Sequence, residues 1–219
     1  MSLNTILFDF DGTLADTIPG IMATMAAITQ NDGLEFSLTK ARNLIGQPLA
    51  AMGNELVGPE RSAEFVNCYF QEFPHHGAKM VRFFPGVESL IEELRGQGFT
   101  LGVVTSKRGS SLSHNLKVLR AENLFDLLVT NDKTLRHKPH PEPVEYAMNY
   151  LGKFPHECLM VGDTQYDLLA AEGAGVASVG VTWGVETAAQ LKESRPTYIA
   201  DSLAELRRII YSLAPSQPF

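Results

Sequence analysis

The segment Phe8-Asp9-Phe10-Asp11-Gly12-Thr13-Leu14 sets two carboxylates two residues apart at the end of an apolar run. On a strand, positions i and i+2 share a face, so the two charges repel unless a proton or a cation relieves them. The pattern suits Asp9 ionised on a metal and Asp11 able to hold a proton. Such a pair can divide phosphoryl transfer: one carboxylate attacks to form an aspartyl phosphate, and the other protonates the leaving oxygen. Gly12 permits a sharp turn after the pair, and Thr13 can fix it. An acidic strand end merely solvated in a loop is the bland alternative.

Three further segments carry complementary groups. Thr105-Ser106-Lys107 follows the apolar Val103-Val104. Hydroxyls ahead of a helix start, beside free N–H groups, form a phosphate cradle or simply an N-cap. Lys138 lies among Pro139, Pro141 and Pro143, which stiffen the backbone that carries it. A lysine so fixed presents an ammonium that can neutralise a phosphoryl group and a carboxylate nucleophile, where a surface lysine would be solvated. Its neighbours His137 and His140 lack a second His or Cys at metal-binding spacing and are read as loop residues. Val161-Gly162-Asp163-Thr164-Gln165-Tyr166-Asp167 adds two more carboxylates, four apart, at another strand end. These hard oxygens suit Mg²⁺, which takes few protein carboxylates and keeps several waters. Asp9, Asp163 and one backbone carbonyl, that of Asp11, suffice as ligands. Asp167 either caps the following helix or acts one step out, on a coordinated water or on Lys138.

These groups need strands to bring them to one edge. Apolar runs at Thr5–Phe10, Phe99–Thr105, Leu127–Thr130, Cys158–Val161 and Val176–Val181 alternate with helix-length segments. The helical patterns fall at Val87–Arg95, Leu112–Arg120, Pro143–Leu151, Tyr166–Glu172 and Leu203–Leu213. This alternation predicts an α/β fold: a parallel sheet covered by helices on both faces, with the site at the carboxyl ends of the strands. Residues 15–82 break the rhythm. Helical periodicity appears there at Ile18–Ile28, Leu38–Leu44 and Ala63–Phe73, punctuated by Gly33, Gly46-Gln47-Pro48 and Gly58-Pro59, with no convincing strand. The segment is read as an all-helical cap inserted after the first strand, leaving residues 1–14 and 83–219 as the core. Asp16 or Thr17 is expected to cap its first helix, with Pro19 in the first turn, and Phe73–Phe84 to serve as the return hinge. Met22, Met25 and Met52 are read as cap packing. Trp183 either packs or lines the pocket, with packing favoured.

Composition bounds the function. A chain of 219 residues with 44% hydrophobic residues buries a core without disulfides or a structural metal. Eighteen basic against 25 acidic residues, net −7, argue against nucleic acid or an anionic membrane as partner, while leaving room for a local anion pocket. No apolar run reaches the ~18 residues of a spanning helix, and the N-terminus lacks the basic and apolar regions of a signal peptide. Cys68 and Cys158 are read as buried thiols, so a cytoplasmic protein is expected, either monomer or homodimer. The tail at 215–219 is read as frayed.

In order and spacing, the segments DFDGTL, VVTSK, HKPHPEP and GDTQYD resemble the four motifs of the haloacid dehalogenase-like hydrolase superfamily, and the helical insertion looks like its small cap. Gly98–Thr105, Lys138–Pro143 and Gly180–Gly184 are similar to the phosphoglycolate phosphatase-like branch, to which certain bacterial pyrophosphatases are related. The resemblance implies a Rossmann-like core and Mg²⁺, with Asp9 as nucleophile and Asp11 as general acid and then base. It places Thr105, Ser106 and Lys138 on the phosphate and Asp163 on the metal. It also implies a small, phosphoglycolate-like phosphorylated metabolite as substrate. Pyrophosphate hydrolysis and β-phosphoglucomutase-like phosphotransfer are the alternatives within the superfamily. Asp11 speaks for a phosphatase over a dehalogenase, because a halide leaves without a proton. The turn Ile45-Gly46-Gln47-Pro48-Leu49 resembles the cap loop that faces the site, which nominates Arg42, Gly46 and Gln47 as substrate contacts; an ordinary helix-helix turn is the alternative. A signalling receiver would be shorter with an adjacent acidic pair, and a binding-only relative would be expected to have lost Asp9 or Asp11.

Overall fold

The computed structural model describes residues 3–214, so the expectation of a frayed tail at 215–219 lies outside the described residues. Six strands, β1 (Thr5–Phe8), β2 (Thr100–Val104), β3 (Leu127–Val129), β4 (Cys158–Gly162), β5 (Ala177–Val181) and β6 (Tyr198–Ala200), form one sheet in the order β3-β2-β1-β4-β5-β6. Every pairing is parallel. This is the α/β architecture expected from the alternation, and the Rossmann-like core that the resemblance implies.

Side chains alternate across each strand, so the two faces of the sheet build two cores. Ile6 and Phe8 of β1 point into a cluster with Val103, Val161 and Val179, covered by α5 (Val87–Gly96), α6 (Gly109–Val118) and α10 (Leu203–Leu213). Leu7 points the other way, to Val104, Val129 and Met160, under α7 (Glu142–Leu151) and α8 (Gln165–Gly173). All four residues of β1 are therefore buried, which is why the run is apolar throughout.

Between β1 and α5 lie four helices, α1 (Ile18–Asn31), α2 (Leu38–Asn43), α3 (Leu49–Val57) and α4 (Ser62–His76). They enclose a third apolar cluster around Met25, Ile28, Leu34 and Phe65. The entering and leaving segments run side by side: Ala15 pairs with Phe83, Asp16 N–H donates to Arg82 O at 2.8 Å, and Phe84 N–H donates to Leu14 O at 3.1 Å. The Arg82 guanidinium adds an ion pair to Asp16 at 2.6 Å.

Local structure departs from expectation at several points. β1 ends at Phe8 rather than Phe10, because the chain turns there and both Leu14 and Ala15 donate to Phe10 O at 3.1 and 2.9 Å. α3 is an additional helix, only nine residues long between two breaker segments, so its apolar repeat covers barely two turns. α4 continues through Pro74 to His76, and the return link begins after it, with a 3₁₀ turn at Ala78–Met80. Pro74 sits in the last turn, where losing one N–H disturbs little of the helix. β6 and the six-residue α9 (Ala188–Glu193) were not anticipated from the sequence. Thr17 is the N-cap of α1 but makes no cap hydrogen bond, and Asp16 is engaged by Arg82. Cys68 and Cys158 are buried free thiols. Among the described residues no helix is long and apolar enough to cross a membrane.

Candidate active site

Asp9, Thr105 and Asp163 each stand at or just past the carboxyl end of one of three adjacent strands, β1, β2 and β4. The ladder continues into these positions: Asp9 N–H donates to Val161 O and Thr105 N–H to Val129 O, both at 2.9 Å. From β1 the chain winds outward first to β2 and β3, then to β4, β5 and β6 on the other side. Such a reversal leaves a crevice at the strand ends, where open α/β sheets bind ligands.

Beneath that crevice lies a buried charge cluster. The Lys138 ammonium, in a residue only 4% exposed, donates to Asp9 Oδ1 at 2.8 Å, Asp167 Oδ1 at 2.5 Å and Val104 O at 2.9 Å. Its three N–H groups are thus all used. Asp167 accepts on its other oxygen from Thr164 N–H at 3.1 Å and Thr164 Oγ1 at 2.8 Å. It therefore both ties down the start of α8 and orients Lys138, so two readings left open by the sequence coexist. Asp163 is fully buried and accepts from Thr13 Oγ1 on Oδ1 and from Val185 N–H on Oδ2, each at 2.8 Å. The Thr13 hydroxyl, expected to fix its own turn, is spent on Asp163, and the turn is closed by backbone bonds among Phe10, Gly12, Leu14 and Ala15. A Cβ on Gly12, whose φ is +82°, would fall 2.2 Å from Asp163 Oδ2, and one on Gly184 would fall 2.1 Å from it. Only glycine fits at either position.

Asp9, Asp163 and Asp167 offer carboxylate oxygens within 4.8 Å of one another, all buried. Burial pushes the Asp9 carboxyl up to about 7 against the pull of Lys138, with Asp167 and Asp11 adding to the rise. Burial, then the charges of Asp9 and Asp167, push Asp163 well above the ordinary carboxylate range. Burial alone would lower Lys138, but Asp167 and Asp9 outweigh it and hold the ammonium above its usual value. Three carboxylates against one ammonium leave excess negative charge in a dry pit. An all-oxygen donor set of that charge fits a small hard divalent cation.

Asp11 is held separately. Thr17 Oγ1 donates to its Oδ1 at 2.6 Å, and the Lys107 ammonium lies 3.1 Å from the same oxygen. Neither partner was expected in this role, although Lys107 belongs to the TSK segment and Thr17 follows Asp11 by six positions. Thr105 Oγ1 accepts from Lys107 N–H at 3.2 Å, while the buried Ser106 Oγ has no hydrogen-bond partner.

A cavity of about 620 Å³, counting its open mouth, lies between the strand ends and the helical insertion. Asp9, Asp11, Thr105 and Ser106 line it from the core, and Gly46 and Gln47 from the insertion. Gln47 Nε2 also donates to Tyr166 Oη at 2.7 Å, joining the loop to α8. Arg42, nominated with them, is exposed on α2 and does not line the cavity, because its helix presents that side chain to solvent. Met25 and Met52 pack in the insertion's core and also line the cavity, so packing was only half their role. Trp183 packs on Phe84 and donates to Thr13 O at 3.1 Å, outside the cavity lining. His140 is engaged within its loop, its ring accepting from Glu142 N–H at 3.1 Å.

Carboxylates on neighbouring strand ends, a buried lysine and a hydroxyl-bearing loop beneath a helical lid define an α/β enzyme of the hydrolase class. Comparison with known proteins supplies the family. The family model described as haloacid dehalogenase-like hydrolase matches residues 6–181. The curated relative named Pyrophosphatase PpaX, from Bacillus mycoides, is 31% identical over 211 residues, covering 96% of this chain and 98% of its own. Probable phosphatase IndB from Dickeya dadantii is 38% identical over 208 residues, covering 92% and 90%. The crystal structure described as that of a predicted phosphatase from Clostridium acetobutylicum superposes with TM-score 0.87 at 28% identity, covering 97% of this chain and 100% of the other. The chain belongs to the haloacid dehalogenase-like hydrolase family and is a phosphatase-like hydrolase.

Proposed function

We propose that the protein is a Mg²⁺-dependent phosphatase that hydrolyses a small phosphorylated metabolite through an aspartyl phosphate on Asp9. The observation that carries this reading is Asp9 at the cavity floor, 2.8 Å from the Lys138 ammonium, with Asp163 and Asp167 oxygens within 4.8 Å. Asp9, Asp163 and the backbone carbonyl of Asp11 would hold Mg²⁺, which supplies charge stabilisation to the phosphoryl group. Asp9 attacks phosphorus, the ester oxygen departs, and Asp11 gives that oxygen its proton. Asp11 then takes a proton from the water that attacks the aspartyl phosphate, which releases inorganic phosphate and restores Asp9. Lys138 favours the ionised form of Asp9, and Asp167 keeps Lys138 aimed. Ser106 Oγ, without a protein partner, and Thr105 Oγ1 are positioned to meet phosphoryl oxygens.

Residues 15–82 act as the cap. The paired linkers at Ala15–Phe83 and the Gln47–Tyr166 contact suit a lid that seats on the core and excludes bulk water. Phosphate release from para-nitrophenyl phosphate, measured with Mg²⁺ and with EDTA, tests the reading. Turnover that ignores EDTA overturns the metal, and turnover retained in Asp9→Asn overturns the mechanism. Free phosphate release, weighed against sugar-phosphate interconversion, separates hydrolysis from phosphotransfer. Phosphoglycolate-like esters and pyrophosphate, the latter from the relatives' name, are the finer readings that the lining of the cap addresses.

A further inference from the structure

The cations of this site are paired with carboxylates, with one exception. Lys138 lies between Asp9 and Asp167, and Lys107 lies 3.1 Å from Asp11. Arg108 also lines the cavity, yet among the described residues no carboxylate pairs with it. Its guanidinium lies instead over the face of Phe70 on the cap helix α4, 5.2 Å from the ring centre. An arginine stacked by its face keeps its N–H groups, which lie in the guanidinium plane, free for an acceptor. The phosphoryl chemistry proposed above leaves this cation idle. Its place is fixed all the same: Arg108 is the N-cap of α6, and Asn131 N–H, donating to Lys107 O at 3.1 Å, ties the end of β3 to the same loop. Arg108 follows Ser106 by two positions, so their Cα atoms are at most about 7 Å apart. One short loop thus faces both the transferring phosphoryl group and whatever the leaving group carries. The cap adds no charged side chain to the lining, so an anion against Phe70 and Met52 would have Arg108 as its uncommitted counter-charge. Apolar surroundings strengthen such a pair and make an unpaired anion costly.

We infer that Arg108 is a specificity-determining residue of this site: stacked on Phe70, its guanidinium binds a second anionic group, a carboxylate or a phosphate, borne by the leaving group. This rests on the phosphatase reading above, and it moves recognition of the leaving group from the cap residues that the sequence nominated to the core loop at Thr105–Arg108. The short reach of that loop suits a leaving group of only a few atoms between the ester oxygen and the second anion.

The test is kcat/KM with Mg²⁺, read as phosphate release, for wild type and Arg108→Gln on phosphoglycolate, pyrophosphate and 2-hydroxyethyl phosphate. The last compound replaces the carboxylate of phosphoglycolate by a neutral hydroxymethyl group. Arg108 is exposed, so its substitution spares the core. Wild type should favour phosphoglycolate or pyrophosphate over the neutral ester by about tenfold or more, and Arg108→Gln should cut that preference by about tenfold or more. The compound that loses its lead names the second anion as carboxylate or phosphate. A wild type that prefers the neutral ester, a preference that survives Arg108→Gln, or an equal loss on all three compounds overturns the inference and leaves the phosphatase reading standing. Equal loss is the result expected of an arginine that merely holds the cap through Phe70. No phosphate from any compound, para-nitrophenyl phosphate included, overturns the phosphatase reading and the inference with it. Phe70→Leu keeps an apolar wall and removes the stack. It should raise KM for the favoured anionic compound several-fold with a smaller change in kcat, and an unchanged KM counts against Phe70 as the group that aims Arg108.

Discussion

Asp9→Asn is expected to abolish turnover and, in the same molecule, to stabilise the metal-free fold at alkaline pH. The Asp9 carboxyl stands at about 7 against an ordinary 3.8, first because it is buried, with Asp167 and Asp11 outweighing part of the relief from Lys138. At about 1.4 kcal/mol per tenfold, the ionised group costs the metal-free fold about 4 kcal/mol. An acid whose folded pKa is raised holds its proton more tightly in the folded state. Stability is therefore intact below about pH 4, falls as pH rises towards 7, and stays reduced above it. Asparagine keeps an oxygen for Lys138 but carries no charge, so it removes that slope. At pH 8 in EDTA the variant should melt about 10 °C above wild type, at roughly 2–4 °C per kcal/mol for a chain of this size. At pH 5 the gap should shrink to less than half. Mg²⁺ at about 100 times its Kd adds roughly 2.7 kcal/mol to the wild type and less to the variant, which closes the gap from the other side. Phosphate release should fall by on the order of 10³ or more. A gap that is absent at pH 8, or that ignores pH, refutes the electrostatic account, and surviving turnover refutes Asp9 as nucleophile.

Lys138→Met leaves Asp9 and Asp167 without their ammonium, so thermal melts at pH 8 should show a loss of about 3–5 kcal/mol and phosphate release a drop of at least about 10². A wild-type melting curve would show that the cluster is not held together by Lys138. Lys107→Met removes the cation 3.1 Å from Asp11 and should lower kcat about tenfold with a smaller change in KM, while Lys107→Arg recovers most of it. An effect on KM alone would place Lys107 on the substrate and not on Asp11. Gly46→Ala, at φ +108° with the new Cβ 2.8 Å from Tyr166 Cδ2, should raise KM several-fold by parting the cap loop from α8. Gly33→Ala carries a positive φ of +65° with nothing within 4 Å, so it should lower stability and leave KM alone. Equal KM effects from the two would mean that backbone strain, and not the loop contact, is responsible.

What the sequence disclosed follows from how locally each feature is encoded. β1, β2 and β4 are buried on both faces, so each appears as a mainly apolar run, and the acidic or hydroxyl residue that follows the run is the one the fold brings to the crevice. Asp9, Thr105 and Asp163 were therefore legible from strand ends alone. The partners that aim them were harder to see, because each belongs to a different segment: Thr13 reaches Asp163 across 150 positions, and Lys138 reaches Asp9 across 129. Thr17 shows the converse error. Its residue type and place at a helix start predict a cap, but its backbone is in the helical and not the extended region, and its hydroxyl instead donates to Asp11 at 2.6 Å. Arg42 was nominated by its proximity to the Gly46–Gln47 turn, yet a six-residue helix ends just before that turn and directs the guanidinium to solvent.

The position of Thr17 also explains why an insertion at this point of the chain can serve the chemistry. Thr17 is the last residue before α1, and its hydroxyl holds the carboxylate assigned to proton transfer. One residue earlier, Asp16 is clamped by the returning Arg82 through both backbone and guanidinium. Two residues earlier, Ala15 closes the turn by donating to Phe10 O and accepting from Gly12 N–H. Three consecutive residues thus fix the strand-end turn, the crossing of the two linkers and the aim of Asp11. The angle at which the helical insertion leaves the sheet and the direction in which Asp11 faces are set by the same short set of bonds, so neither can change far without the other. A cap inserted elsewhere, after β2 for instance, could cover the crevice equally well, but it would have no covalent neighbour among the carboxylates.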